Sequence, residues 1–189
     1  MIRRALMAGL AALLAAAVAA GAHAQIFTDQ FNSQWYTIVT AASANNMADV
    51  RTFIAKRVNV NQANPQGRTA LSFAAELGNV QMAKELLDAA ASPDQRDKLG
   101  EVPLHWAANN GRLDVIKVLL AGHATVDAND RQGITPLMSA ISHNQLASVK
   151  ALLAAGADPK KQDFTGRDAF GWAQGQAGIT QALRTSAKP

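Results

Sequence analysis

The residues best suited to chemistry in this 189-residue chain are its histidines and a row of acids. Past residue 24 the histidines are His105, His123 and His143, and the acids Asp97, Asp130 and Asp163 follow Asn64 at a constant step of 33. Imidazole and carboxylate can bind metal or move protons, but both tasks need convergent groups. No histidine belongs to an H-E-x-x-H pattern or a similar constellation. Elements packed about 10 Å apart cannot share an ion whose ligands lie at about 2.3–2.6 Å. An aspartate directly before a turn bonds the backbone N–H groups of that turn instead. The chain has no cysteine, which excludes disulfides, thiolate metal sites and a cysteine nucleophile. Serine elbows, phosphate loops and dinucleotide fingerprints are missing as well. The expectation is a protein with no cofactor, no metal and no catalytic residue.

The elements that carry these residues repeat. Gly67, Gly100, Gly133 and Gly166 stand 33 apart without a gap. In step with them run Leu71, Leu104, Leu137 and Phe170, then Ala74, Ala107, Ala140 and Ala173, then Val80, Leu113, Leu146 and Ile179. The pairs Leu86-Leu87, Leu119-Leu120 and Leu152-Leu153 form a further column. A fixed period of this length means stacked supersecondary units. Within one unit, Pro103 suits a first helical position, and Leu104, Ala107 and Ala108 give an i, i+3, i+4 stripe. That helix ends near Gly111, and a second runs from about Leu113 through Val115, Ile116, Leu119 and Leu120. Small Ala107 and Ala108 let the first helix approach its neighbours closely.

The unit resembles the ankyrin repeat, whose pattern G-x-T-P-L-H-x-A-A-x-x-G is matched best by Gly100 to Val126 and Gly133 to Pro159. The resemblance implies an all-α solenoid of helix-turn-helix units with short β-turn or hairpin loops, about three full repeats plus caps. Expected bounds are an N-terminal cap at 34–66, repeats at 67–99, 100–132 and 133–165, a C-terminal cap at 166–184 and a tail at 185–189. Gly67, Gly100, Gly133, Gly166, Asp97, Asp130 and Asp163 are the expected structural turn residues. The T-P-L-H signature is broken in every copy, and Val102 stands where His105 would find its threonine, a loss of about 1 kcal/mol per missing hydrogen bond. The glycine that ends the second helix survives only as Gly156, with Ala90 and His123 at the matching positions, so those junctions are expected to be strained or shifted. Trp106 and Trp172, with Phe73 one unit earlier, share a column expected to pack between first helices.

Residues 1–24 read as an export signal, with Arg3 and Arg4, an apolar stretch from Ala5 to Ala20, and Ala22-His23-Ala24 before Gln25. The alanine richness and the A-x-A end imply a Gram-negative cell and a periplasmic or secreted product. Ile26 to Tyr36 reads as an extra amphipathic helix, with 25–33 as a helical extension. The whole chain holds 18 Lys+Arg against 14 Asp+Glu, and removing the two arginines of the signal leaves a net charge of +2. Nucleic-acid binding is therefore not expected.

What remains is surface. The resemblance implies that turn tips and exposed first-helix positions grip another protein, with the chain a non-catalytic, monomeric scaffold, adaptor or regulator. In this sequence those positions are Arg68, Leu77, Lys98, Leu99, Glu101, Asn109, Asn110, Arg131, Gln132, Ile134, His143, Phe164 and Arg167. Apolar Leu77, Leu99, Ile134 and Phe164 among charges have the composition of anchors within a polar rim. The groove is expected to centre on Leu99, Arg131, Ile134 and Phe164. The competing expectation is an enzyme or a ligand-handling protein of the envelope or of oxidative stress on the same scaffold, which requires a cleft.

Overall fold

A computed structural model describes residues 37–186. The export signal, the 25–33 extension, residues 34–36 of the N-terminal cap and residues 187–189 lie outside the described residues. Ten helices follow one another: α1 Ile38–Ser43, α2 Met47–Ala55, α3 Ala70–Leu77, α4 Val80–Asp88, α5 Pro103–Asn109, α6 Leu113–Ala121, α7 Pro136–Ser142, α8 Leu146–Ala154, α9 Ala169–Trp172 and α10 Ala177–Ser186. Each odd helix packs on the next odd one and each even helix on the next even one, giving an inner and an outer layer. The two helices of each unit also pack together. The loops carry one isolated bridge, Ala63 to Thr69, and no longer strand occurs among the described residues.

Local chemistry starts each inner helix. Thr69 Oγ1 accepts the Ser72 N–H at 3.2 Å, Thr135 Oγ1 the Met138 N–H at 3.3 Å, and Asp168 Oδ1 the Gly171 N–H at 2.9 Å. These caps satisfy donors that a helix start leaves free. Pro103 and Pro136 occupy first positions, where no N–H is needed. At Val102 the expected loss is made good by another route. The His105 N–H bonds the Val102 carbonyl at 2.9 Å, and the Val102 N–H donates to His105 Nδ1 at 3.2 Å, so neither backbone donor is orphaned.

Small residues set the spacing of the inner layer. Ala41, Ala42, Ala74, Ala75, Ala107, Ala108 and Ala140 are fully buried, and Leu71, Leu104 and Leu137 fill the space beside them. Met82, Leu86, Ile116, Leu119, Val149 and Leu152 bury the facing side of the outer layer. Full burial of each such large side chain contributes about 1.5–3 kcal/mol. The degenerate first copy keeps this pattern through Ile38 and Val50, both completely buried.

Of the two outcomes expected at the second-helix ends, strain or a shift, strain is the one that occurs. The second-helix ends do not shift: Ala90 and His123 hold φ of 65° and 64°, in the left-handed region that Gly156 occupies at 92°. The preceding helix is clamped by packing on both sides, so the strain stays at the cap. The last helix continues to Ser186, two residues beyond the expected end of the cap at Arg184.

The loop glycines have a second job besides their positive φ. A Cβ on Gly100 would lie 2.8 Å from the Arg131 backbone nitrogen, and one on Gly133 would lie 2.9 Å from that of Phe164. Gly166 has a similar φ, 83° against 85° at Gly100, yet a Cβ there would meet nothing within 4 Å. Comparing Gly100→Ala with Gly166→Ala therefore isolates the close approach from the backbone cost. Urea unfolding should show about 1–2 kcal/mol for Gly166→Ala, and at least about 1 kcal/mol more for Gly100→Ala.

Candidate partner-binding face

Each turn is wrapped around one side-chain oxygen. Asp97 Oδ1 accepts the N–H groups of Leu99 (2.8 Å) and Glu101 (3.0 Å). Asp130 Oδ1 accepts those of Gln132 and Ile134, both at 2.8 Å, and Asp163 Oδ1 those of Thr165 (2.8 Å) and Arg167 (3.0 Å). Asn64 does the same with Gln66 and Arg68, both at 3.0 Å. The expected turn role of this column is thus what the geometry displays, and an amide oxygen performs it as well as a carboxylate. The second carboxylate oxygen has a separate use. Asp97 Oδ2 accepts the Trp106 indole N–H at 3.2 Å, and Asp163 Oδ2 accepts that of Trp172 at 3.0 Å. Where Phe73 replaces tryptophan, nine residues after Asn64, there is no indole to serve.

Neighbouring turns are stitched together by their backbones. The Lys98 N–H donates to Gln66 O at 2.8 Å, Arg131 N–H to Leu99 O at 3.0 Å, and Phe164 N–H to Gln132 O at 2.9 Å. The tips Pro65-Gln66, Lys98-Leu99, Arg131-Gln132 and Phe164-Thr165 consequently form one continuous edge. Leu99 and Phe164 are 62% and 74% exposed on it, and Lys98, Arg131 and Gln132 are exposed beside them.

Behind the tips lies a second row, Arg68, Glu101, Ile134 and Arg167. Arg68 is not available to a partner: its guanidinium carbon sits 4.0 Å from the Phe73 ring centre and 3.7 Å from that of Trp106. It also pairs with Glu76, and its side chain is 14% exposed. Such a cation between two rings contributes roughly 1–2 kcal/mol. Phe73 and Trp106 therefore pack through an arginine and not only helix to helix. Arg167 lies 4.1 Å from the Trp172 ring centre and remains exposed. An arginine five places before an aromatic, as in Arg68 with Phe73 and Arg167 with Trp172, was the signal in the sequence that could have found these contacts. Ile134 is half-buried, and its carbonyl lies 3.0 Å from His105 Nε2. Glu101 is half-buried too, and burial pushes its carboxyl up, with Asp97 and Asp130 adding to the effect.

A third row lies at the far ends of the inner helices: Glu76 with Leu77, Asn109 with Asn110, and Ser142 with His143. Leu77 is 40% exposed, and Asn110 and His143 are exposed, about 10 Å of helix away from the tips. His143 Nδ1 lies 3.0 Å from the Ser139 carbonyl, capping its own helix. The fold thus brings Lys98, Leu99, Arg131, Gln132 and Phe164 together, and sets Leu77, Asn110 and His143 apart from them. On the outer layer, a shallow depression of about 310 Å³ is lined by Arg51, Ile54, Ala55, Glu85, Asp88 and Ala89. No group of three His, Asp or Glu side chains able to hold a metal occurs among the described residues.

Asp163 and His105 are among the ionisable groups that tie stability to pH. Asp163 is held down to about 2, first by the Thr165 hydroxyl at 2.6 Å and then by N–H donors of its turn. Burial lowers the His105 pKa, against the opposing carbonyl of Ile134 and the charges of Asp130 and Asp97, with Arg96 adding to the lowering. Neutral His105 with its proton on Nε2 satisfies both neighbours, donating to Ile134 O and accepting from Val102 N–H.

Repeating units of one turn and two helices, stacked through tip, inner helix and outer helix, define a helical repeat solenoid. The family pattern "Ankyrin repeats (3 copies)" matches residues 4–97 and 90–163, and the chain belongs to the ankyrin repeat family. The first match begins inside the segment read above as an export signal. No curated protein matches the chain. Ankyrin repeats generally mediate protein–protein interaction.

The two uses of the aspartates separate by substitution. Asp97→Asn keeps the turn but loses the Trp106 acceptor, and should destabilise the chain by about 1.5–3 kcal/mol in urea unfolding. Asp130→Asn, with no tryptophan nine residues on, should cost less than about 1 kcal/mol. For His105 the folded value lies below the unfolded value of about 6.5, so its contribution is complete above that pH and is lost as pH falls through it. Between pH 7 and 5 the unfolding free energy should decline by up to about 1.4 kcal/mol per pH unit. His105→Gln should be less stable at pH 7.5 and flatter across this window.

Proposed function

We propose that the chain is an exported, non-catalytic ankyrin scaffold that binds another protein through the edge formed by its turn tips. The single observation carrying this reading is that edge: Leu99 and Phe164 stand in solvent on turns locked backbone to backbone. A rigid, preformed surface loses little entropy when it binds. Scaffold columns keep their residue types from unit to unit while tip residues differ, which is the pattern of a constant frame carrying a particular surface. Export rests on residues 1–24 and places the protein in the periplasm of a Gram-negative cell, or beyond it, as a monomer. Among the described residues no helix is long and apolar enough to cross a membrane.

Half-buried Ile134 makes a poor probe of this edge, so Leu99 and Phe164 are the positions to change. Immobilised protein starting at Gln25 should capture a saturable partner from envelope extract, and Leu99→Asp with Phe164→Asp should lose it while keeping the same unfolding midpoint. Intact mass of protein recovered from the envelope fraction should correspond to a chain beginning at Gln25. Capture that is indifferent to the double substitution would place binding elsewhere.

A further inference from the structure

We infer that the tip edge receives an acidic, extended protein segment with two apolar side chains four residues apart, one on Leu99 and one on Phe164. This deepens the protein-binding reading and rests on it. The argument begins with the direction in which charges face. Every acid of the turns is turned inward: Asp97 and Asp163 are buried, and Asp97, Asp130 and Asp163 spend an oxygen on two backbone N–H groups each. Glu76 is paired with Arg68, and Glu101 is half-buried with its ionisation disfavoured. Lys98 and Arg131, in contrast, are exposed and form no ion pair among the described residues. Arg167 is exposed beside Phe164's turn but is ion-paired with the buried Asp163 at 3.4 Å, so the positive charge open to a partner is that of Lys98 and Arg131. At the tips the fully exposed charges, Lys98 and Arg131, are both cations, while Asp130, Glu101 and Glu76 are half-buried behind them.

Spacing then fixes the shape of the occupant. Leu99 O bonds Arg131 N, and Phe164 N bonds Gln132 O, so the two apolar anchors stand two turns apart with the Arg131 turn between them. The Phe164 ring lies over Gly133, where Cδ1 would be 2.8 Å from a Cβ, which keeps the ring on the same edge. Each of these hydrogen bonds sets the joined residues about 5 Å apart, and Arg131 and Gln132 are chain neighbours about 3.8 Å apart, so Leu99 and Phe164 stand about 14 Å apart. An extended chain covers that distance in about four residues at roughly 3.3 Å each, and positions i and i+4 point to the same side. An acid at i+2 would face Arg131 directly, and one at i−2 would face Lys98. A second copy of this chain is a poor occupant, since its own cationic edge would be repelled.

Selection from a random twelve-residue peptide library displayed against the chain from Gln25 reads out this chemistry. Enriched peptides should carry Asp or Glu between two Leu, Ile, Phe or Trp residues four positions apart. Fluorescence anisotropy of the best peptide should show at least a tenfold loss of affinity with Arg131→Glu, with Leu99→Ser and with Phe164→Ser, and weakening as salt rises. These exposed substitutions should leave the urea midpoint unchanged, which separates lost binding from lost folding. Neutral or basic winners that Leu99→Ser and Phe164→Ser abolish would overturn this inference and leave the protein-binding reading standing. Winners indifferent to all tip substitutions, or no winners at all, would overturn both. Arg131-dependent sedimentation with phosphatidylglycerol vesicles, without any acidic peptide selected, would also overturn it and assign the edge to an anionic membrane.

Discussion

Everything in this solenoid depends on two turn backbones coming within hydrogen-bond distance of each other. Contact of Arg131 N with Leu99 O at 3.0 Å requires that nothing project from Gly100, and an alanine there would put a carbon 2.8 Å from the Arg131 nitrogen. It also requires that each turn hold its shape before it meets its neighbour. One oxygen on Asn64, Asp97, Asp130 or Asp163 does this by gathering two N–H groups of its own turn. That Asn64 works as well as the aspartates shows that the turn needs an acceptor and not a charge.

From that constraint the distribution of charge follows. Acids recruited to hold turns are withdrawn from the surface, while lysine and arginine, which are not acceptors, can only stay outside or stack on a ring. Arg68 stacks between Phe73 and Trp106, whereas Lys98 and Arg131 stay outside. The inner layer supports the same geometry from below, because alanines such as Ala74 and Ala107 allow the helices beneath the turns to match the turn spacing. Tip, helix and exposed edge are consequently one rigid construction.

The repeat and its bounds were legible because stacked units place the same residue in the same surroundings every 33 positions, and selection of residue type by surroundings leaves a column. The buried leucines, the alanine pairs and the turn aspartates all fall in such columns. Arg68 was misleading for the same reason. It occupies a tip-side column whose other members, Glu101 and Ile134, differ from it, and only the aromatic rings on either side decide that it is internal. Val102 illustrates the opposite case: its column predicts a missing hydrogen bond, and the histidine three residues on supplies a replacement. The cap positions Ala90 and His123 kept the left-handed backbone although their residue types disfavour it, since packing outweighs a local preference of about 1–2 kcal/mol.

By itself, then, the sequence determined the period, the order of turn and helices, the positions of the caps and the residues available at the tips. Those are properties that each unit writes locally and repeats. Tertiary structure alone decided which of the tip residues face solvent, which cation is consumed between two rings, and that the exposed charges along the edge share one sign. These depend on what the next unit places alongside, and no single stretch of chain contains both sides of that contact.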